Sequence, residues 1–178
     1  MKEMVKDKKG RDTNDEIKIL AELRRNSKNN IETIAKHSGV SRQKVNRIIK
    51  RLEEQHTIWG YTTVVDEDAH GFQKFMLLLK RSNQPLEKKT ADTIAMNKLE
   101  DVYDTLGVTI ISSYYLHGDY DWSIIFLTKD LRTAKKFSTT ITQYFPGVIA
   151  KMNLQQILFA QREHYVFNPD PKKLRGFL

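Results

Sequence analysis

The stretch that decides the fold is IETIAKHSGVSRQKVNRIIKRLEEQ, residues 31–55. It predicts two short helices, which begin at the capping residues Asn30 and Ser41. Where two helices cross steeply, their contact needs a small side chain, and the tight turn between them favours glycine because glycine adopts left-handed backbone conformations. Ala35 and Gly39 satisfy these two conditions. The spacing therefore predicts a helix-turn-helix.

The second of these helices, over residues 41–55, has two faces of opposite character. Apolar residues recur along it at helical spacing, and they are Val45, Ile48, Ile49 and Leu52. The opposite face is polar, and no acidic residue occurs from position 42 to position 51. Arg and Lys can bind guanine or phosphate, and Asn and Gln can pair with adenine. The candidate DNA-binding residues are Arg42, Gln43, Lys44, Asn46, Arg47, Lys50 and Arg51.

These seven residues are expected to have two roles. The N-terminal part of a recognition helix enters the major groove of double-stranded DNA. We therefore expect Gln43, Asn46 and Arg47 to contact bases and the other four residues to contact phosphates. An alternative is that the helix-turn-helix binds protein and that its basic residues serve only solubility.

A further helix is predicted before this pair. Thr13 and Glu16 have the spacing of a capping box, which predicts a helix that begins at Thr13. The apolar residues Ile17, Leu20 and Ala21, with Leu23 beside them, form a rough apolar stripe along it. The helix is expected to end in the polar run at residues 26–30.

The segment after the recognition helix predicts a wing. Residues 56–65 have the pattern of two strands around Gly60. Trp59 and Tyr61 could stack on the DNA backbone or cover the open edge of the domain, and covering the edge is the favoured interpretation. The first domain, a winged helix-turn-helix, is thus expected to extend over residues 13–66.

Composition restricts the class of protein. The 178 residues have a formal net charge of +8, which favours polyanionic partners. The absence of cysteine excludes disulfides and thiolate chemistry. The basic segment 1–12 lacks the pattern of a signal peptide or a membrane span, and it is expected to be a solvated end or, as the alternative, an arm that contacts DNA. We expect a cytoplasmic, nucleoid-associated protein that uses no metal and no cofactor.

From residue 72 onward the pattern alternates between strands and helices. Strands are predicted over residues 72–81, 108–117, 121–127 and 148–160, and helices over 85–106 and 130–144. The order β-α-β-β-α-β predicts an α+β, ferredoxin-like domain with a four-stranded antiparallel sheet and two helices on one face. This domain is expected over residues 72–161, with a hinge at 67–71 and a tail at 162–178.

Several short motifs across both domains point to one family. They are Ile19-Leu20, Ile34-Ala35, Gly39-Val40-Ser41, Val45, Leu52-Glu53, Ile58-Trp59-Gly60-Tyr61, Gly118-Asp119-Tyr120-Asp121 and Pro146-Gly147-Val148. Together they resemble the leucine-responsive regulator/asparagine-operon regulator (Lrp/AsnC, or feast/famine) family of prokaryotic transcription factors. The resemblance implies that the second domain forms a homodimer, often assembled further into tetramers or octamers, and binds an effector.

The resemblance also implies an effector site. Gly118-x-x-Asp121 matches the signature that this family has near its amino-acid pocket. The candidate effector-binding residues are therefore Gly118, Asp119, Tyr120 and Asp121. A carboxylate there could receive the ammonium group of an amino acid. The alternative is an ordinary tight hairpin, since Gly and Asp are favoured in turns.

The expected function is sequence-specific DNA binding by a transcription regulator, and two other functions remain open. Haem-pathway decarboxylases share the two-domain architecture and place His and Arg residues around a tetrapyrrole. Here the five histidines show no paired ligand spacing, and the sequence has no phosphate loop or nucleophile elbow, so no enzyme activity is expected. A chromatin protein of low specificity would differ only in sequence preference, because phosphate contacts dominate affinity in both cases.

Overall fold

The computed structural model describes residues 2–96 and 100–178. The chain forms two compact units. The first extends to Val64 and includes Gln161–Pro171, and the second comprises Val65–Ala160 and Lys172–Leu178. No described helix is both long enough and apolar enough to cross a membrane.

Three helices form most of the first unit. They are α1 (Lys2–Arg25), α2 (Ile31–Ser38) and α3 (Arg42–Glu54). The two predicted caps are confirmed: the side chain of Asn30 accepts from the Thr33 amide and that of Ser41 from the Lys44 amide. Gly39 ends α2 with a left-handed φ of 68°, which a side chain would strain.

The core of the first unit confirms the predicted contact between α2 and α3. Ala35 is buried at the crossing, and the four apolar residues of α3 face inward. The buried residues are Ile19, Leu23, Ile34, Ala35, Val40, Val45, Ile48, Ile49 and Leu52. The helix-turn-helix is therefore held by one small hydrophobic cluster.

One prediction for α1 is wrong and a second is only partly correct. The helix does not begin at Thr13 but at Lys2, so the residues predicted as a solvated segment are helical. Lys, Glu and Met are good helix formers, and no proline interrupts this stretch. The predicted apolar stripe is partly correct: Leu20 and Leu23 contact the core, whereas Ile17 and Ala21 are exposed and Ile19 is buried instead.

The two strands predicted for the wing are not formed. No backbone hydrogen bond joins residues 59–66 to any other described part of the chain. Two short strands without a third strand or a helix to cover them are marginal in water, which explains the absence of a ladder. The start of the segment is instead hydrogen-bonded to the end of α3, because the amides of Thr57 and Ile58 both donate to the Leu52 carbonyl.

The second unit confirms the predicted ferredoxin-like order. Its strands are β1 (Gln73–Arg81), β2 (Thr109–Tyr115), β3 (Trp122–Thr128) and β4 (Ile149–Ile157), and its helices are α4 (Lys88–Ala95), α5 (Glu100–Thr105) and α6 (Leu131–Tyr144). The sheet order is β2-β3-β1-β4, and the pairings are antiparallel. Its core contains Phe75, Leu77, Ile124, Phe126 and Phe137, which pack between one face of the sheet and the helices.

Two details of the second unit differ from the prediction. The single helix expected over 85–106 is replaced by α4 and α5, and positions 97–99 of that prediction lie outside the described residues. Pro85 precedes α4, which starts after its cap residue Glu87 and ends before its C-cap residue Met96. The predicted tight hairpin is also longer, since the loop between β2 and β3 spans residues 116–121.

The C-terminal residues form a small hairpin that belongs to the first unit. Its strands are β5 (Arg162–Glu163) and β6 (Val166–Phe167). The Arg162 guanidinium lies 3.8 Å from the centroid of the Phe167 ring, a cation–π contact. A 3₁₀ helix over Pro171–Phe177 follows.

Candidate nucleic-acid interface

The exposed face of α3 is the candidate interface. Burial of the apolar residues turns the opposite side of the helix toward solvent. The predicted residues on that side that are exposed are Arg42, Gln43, Asn46, Arg47 and Lys50. Five of the seven predicted contacts therefore share one accessible face.

Lys44 and Arg51 have a different environment from the other five residues. The Lys44 ammonium lies 2.8 Å from an Asp12 carboxylate oxygen and 2.6 Å from an Asp15 oxygen. Arg51 forms an ion pair with Glu16. Their side chains are only 27% and 39% exposed, against 75% for Lys50. These two cations hold α3 against α1.

Hydrogen bonding shifts the pKa values of two groups in this contact. The hydrogen bond from Lys44 lowers the pKa of Asp12 below its ordinary value. The hydrogen bonds to Asp12 and Asp15 in turn raise the pKa of Lys44. Sequence reasoning missed these partners because it placed the inner face of α1 on Ile17. The signal that could have identified them is the spacing from Ile19, since Asp15 and Glu16 lie one turn before it and Asp12 lies two turns before it.

The remaining cations of α3 are weakly engaged. Arg42 lies 3.7 Å from Glu32, and Lys50 lies 3.9 Å from Glu54, with all four side chains mostly exposed. Exposed ion pairs of this kind contribute little free energy, so a phosphate can replace the carboxylate. Within the described residues Arg47 makes no hydrogen bond or ion pair.

A buried carboxylate links α1 to α2. Glu22 is only 9% exposed, and one of its oxygens lies 2.8 Å from His37 Nδ1. Its other oxygen lies 3.3 Å from an Arg25 nitrogen. A buried carboxylate requires such partners, because desolvation without them is costly. Sequence reasoning did not identify this contact.

The two aromatic residues after α3 differ from each other. The Tyr61 hydroxyl donates a 2.7 Å hydrogen bond to Glu53, and partial burial with this bond raises the pKa of Tyr61 to about 12. Trp59 is 95% exposed. The favoured interpretation, that both residues cover the edge of the domain, is therefore wrong for Trp59.

The four candidate effector residues lie in the loop between β2 and β3. The Asp121 carboxylate accepts a 2.8 Å hydrogen bond from the Arg81 amide and lies 3.7 Å from the Lys80 ammonium. The amide hydrogen bond lowers the pKa of Asp121. The Gly118 carbonyl accepts a hydrogen bond from the Lys80 ammonium. The φ of Gly118 is 148°, a backbone conformation that favours glycine. Asp119 is exposed.

Tyr120 lies on the same loop and faces β4. Its hydroxyl accepts a 3.4 Å hydrogen bond from the Asn153 amide, and the Lys151 ammonium lies 5.7 Å from the centroid of its ring. The neighbouring Arg81 Nε is buried and has no hydrogen-bond partner among the described residues. Acidic and basic side chains therefore lie close together at this loop. No group of three or more described His, Asp or Glu residues has the arrangement of a metal site.

Comparisons with known proteins agree with this geometry. Residues 16–58 match a winged helix-turn-helix DNA-binding family model. A curated relative, the Bkd operon transcriptional regulator of Pseudomonas aeruginosa, is 29% identical over 133 residues, which are 75% of this chain and 82% of the relative. An AsnC family transcriptional regulator from Agrobacterium tumefaciens superposes with a TM-score of 0.61 at 15% identity, covering 88% of this chain and 96% of that one. The chain has the Lrp/AsnC fold.

A further solved structure with this fold contains an amino acid. It is a transcriptional regulator from Neisseria meningitidis in complex with L-Met, with a TM-score of 0.59 at 14% identity, covering 89% of this chain and 97% of that one. The resemblance to the Lrp/AsnC regulators that the sequence motifs indicated is confirmed by these matches.

Replacement of Asp121 by alanine should lower the melting temperature near neutral pH, because the Arg81 amide loses its acceptor. Since the pKa of Asp121 is lowered from 3.8 in the folded chain, its stabilisation is fully present above that value. It is lost as the pH falls through the lowered pKa. Thermal melts in steps below pH 3.8 should therefore show the difference from the native chain narrowing.

The matched control is Asp119→Ala, which removes an exposed carboxylate from the same loop. It should leave the melting temperature unchanged. A gap between Asp121→Ala and the native chain that stays constant at low pH would contradict the assignment.

Proposed function

We propose that this protein is a dimeric transcription regulator that reads double-stranded DNA with the exposed face of α3. The observation that carries the proposal is the face itself, which presents three cations and two amide side chains from positions 42 to 50 without an acidic residue. These are the side chains that bind phosphates and the major-groove edges of guanine and adenine. The winged helix-turn-helix match and the curated regulator support it.

We propose different roles for the seven residues according to their exposure and ion pairs. Gln43, Asn46 and Arg47 are the base-reading residues, because each is exposed on the N-terminal two turns of α3. Arg42 and Lys50 contact phosphates. Lys44 and Arg51 are positioning residues, since their charges are already neutralised by carboxylates of α1.

This division gives a test of recognition. Arg47→Ala should weaken operator binding by about 1–3 kcal/mol and relax the preference at one base pair if Arg47 reads a base. If Arg47 instead contacts a phosphate, the substitution should weaken binding equally for all DNA sequences, and the slope of log K against log salt concentration should decrease by about one. Fluorescence anisotropy with operator and scrambled duplexes, at several salt concentrations, separates the two.

The matched control is Lys136→Ala, which removes an exposed cation from α6 in the second unit. It should leave operator binding unchanged. Unaltered binding by Arg47→Ala would contradict the role of α3. Equal affinity of the native chain for operator and scrambled duplexes would favour the low-specificity chromatin protein.

The dimer is proposed to form through the face of the sheet that does not contact the helices. Met76 pairs with Ile125 across β1 and β3, and Leu78 is the next residue of β1 on that face. All three are half-buried apolar residues that do not pack against the core of the second unit. A second copy would bury them, and two α3 helices would then read half-sites about 34–36 Å apart.

Ile125→Glu should convert the dimer into a monomer, because a buried interface cannot hold an unpaired carboxylate. Sedimentation velocity measures the change, and circular dichroism confirms that the variant is folded. Gln143→Glu introduces the same charge on the exposed side of α6 and should remain a dimer. A folded Ile125→Glu variant that still sediments as a dimer would exclude this face.

An amino acid is proposed to act as effector at the loop between β2 and β3. The regulator with L-Met supports a ligand of this class. Asp121 offers a carboxylate for the ammonium group, and Arg81 offers an unpaired, buried Nε for the carboxylate. Both ends of an amino acid thus have a partner of opposite charge in one loop region.

A thermal-shift series with the standard amino acids tests this site. At least one of them should raise the melting temperature of the native chain and of Asp119→Ala, and it should have a much smaller effect on Asp121→Ala. A stabilising amino acid that acts equally on all three proteins would place the effector elsewhere.

The tetrapyrrole decarboxylase is not favoured by the site. His37, one of the five histidines, is paired with Glu22 in the first unit. The basic face of α3 has no role in that reaction. We infer that the protein is not an enzyme.

A further inference from the structure

A groove of about 620 Å³ lies in the first unit. Its lining comes from the C-terminal end of α1, from the segment that follows α3, and from the turn of the β5–β6 hairpin. No residue of α3 lines it. The groove is therefore separate from the face proposed to read DNA.

The groove has an apolar floor and aromatic sides. Leu20, Leu23 and Ile58 form the floor and belong to or pack against the core of the helix-turn-helix. Trp59 and Tyr165 stand at the sides, and both are more than half exposed. Exposed aromatic rings around an apolar floor are typical of a site for a ligand with a flat apolar body.

The charged residues that line the groove are all basic. Arg24, Arg25 and Lys28 line the groove, and no Asp or Glu residue does. Arg25 is paired with Glu22, whereas Arg24 and Lys28 have no carboxylate partner within the described chain. Cations are favoured at the C-terminal end of a helix, which accounts for Arg24. Lys28 lies beyond the end of α1, so the helix does not account for it.

Arg24 contacts the C-terminal hairpin. Its guanidinium carbon lies 5.7 Å from the centroid of the Tyr165 ring. A cation–π contact of this kind leaves the edge of the guanidinium free to donate to a carboxylate. Additional donors are present because the amides of residues 59–64, which line the groove, make no backbone hydrogen bond within the described chain.

We propose that this groove binds a small aromatic carboxylate. The ring lies on Leu20 and Ile58 between Trp59 and Tyr165, and the carboxylate accepts from Arg24 and Lys28. The volume lies within the range of about 300–1,000 Å³ that small-molecule sites occupy. The site does not depend on the proposed DNA contacts, since its ligand is recognised by other residues.

Ligand binding here has a direct route to the recognition helix. The segment that lines the groove begins at Thr57, whose amide donates to the carbonyl of Leu52 in the last turns of α3. The amides of residues 59–64 make no backbone hydrogen bond within the described chain, so a ligand that pairs with them would connect this segment to α1. This segment is part of residues 56–65, for which the sequence predicts the wing.

Isothermal titration of the full chain with 3-phenylpropanoate tests the proposal. We expect saturable binding at one site per chain. The isosteric alcohol, 3-phenylpropan-1-ol, should bind about tenfold more weakly, because it lacks the charge-assisted hydrogen bonds. The amine, 3-phenylpropylamine, should bind more weakly still.

Variants distinguish the contribution of the cations to binding from that of the apolar floor. Lys28→Gln should weaken binding of the acid about tenfold and leave binding of the alcohol unchanged. Arg24→Gln/Lys28→Gln should abolish the preference for the acid. Lys36→Gln removes an exposed cation from α2 that does not line the groove, and it should bind like the native chain.

Fluorescence gives a second readout at the site itself. The chain has two tryptophans, so Trp122→Phe leaves Trp59 as the reporter. The acid should change the emission of Trp59 in this variant with the same midpoint as the titration. Absence of saturable binding, equal binding of acid and amine, or binding that Lys28→Gln does not weaken would each overturn the proposal. Loss of DNA binding by Arg47→Ala is measured without the probe, so failure of one proposal is distinguishable from failure of the other.

Discussion

Burial of the apolar stripe on α3 is the constraint on which the candidate interface depends. The helix has 13 residues, and Val45, Ile48, Ile49 and Leu52 are all buried. Each of these side chains contributes about 1.5–3 kcal/mol when it is removed from water. A rotation of α3 by one residue would expose most of them, so the helix has one stable orientation. The residues opposite the stripe are consequently held at the surface, whatever their own interactions.

The ion pairs with α1 act on the charges of this surface more than on its stability. Partly exposed ion pairs contribute about 0–1 kcal/mol each, which is small beside the apolar stripe. Their effect is to divide the cations of α3 into two sets. Lys44 and Arg51 are neutralised by α1, while Arg42, Arg47 and Lys50 keep their charge available. The accessible positive charge is thus concentrated on the side of α3 that carries Gln43 and Asn46.

The parts of the fold that were predictable are those with a local cause. Caps at Asn30 and Ser41, the left-handed Gly39, and the alternation of strands and helices in the second domain depend on neighbours in sequence, and each is confirmed. The inner face of α1 was not predictable in this way. Ile17 fits an apolar stripe as well as Ile19 does, and it is the packing of Ile19 against the apolar residues of α2 and α3 that decides between them.

The wing and the groove show a second limit, which is contact between residues distant in sequence. Tyr165 comes to the first unit from beyond β4, so no local pattern near Arg24 indicates their contact. Likewise, the strand propensity of residues 56–65 is real, but without a partner strand it produces no ladder. Propensity describes one segment, whereas a strand requires two.

The same non-local contact makes the first unit discontinuous. The chain leaves this unit after Val64 and returns to it at Gln161, only a few residues after β4 ends at Ile157. The chain returns to the second unit at Lys172, so neither unit is a single continuous stretch of sequence. The proposed groove therefore includes tail residues, such as Tyr165, that residues 13–66 alone do not contain.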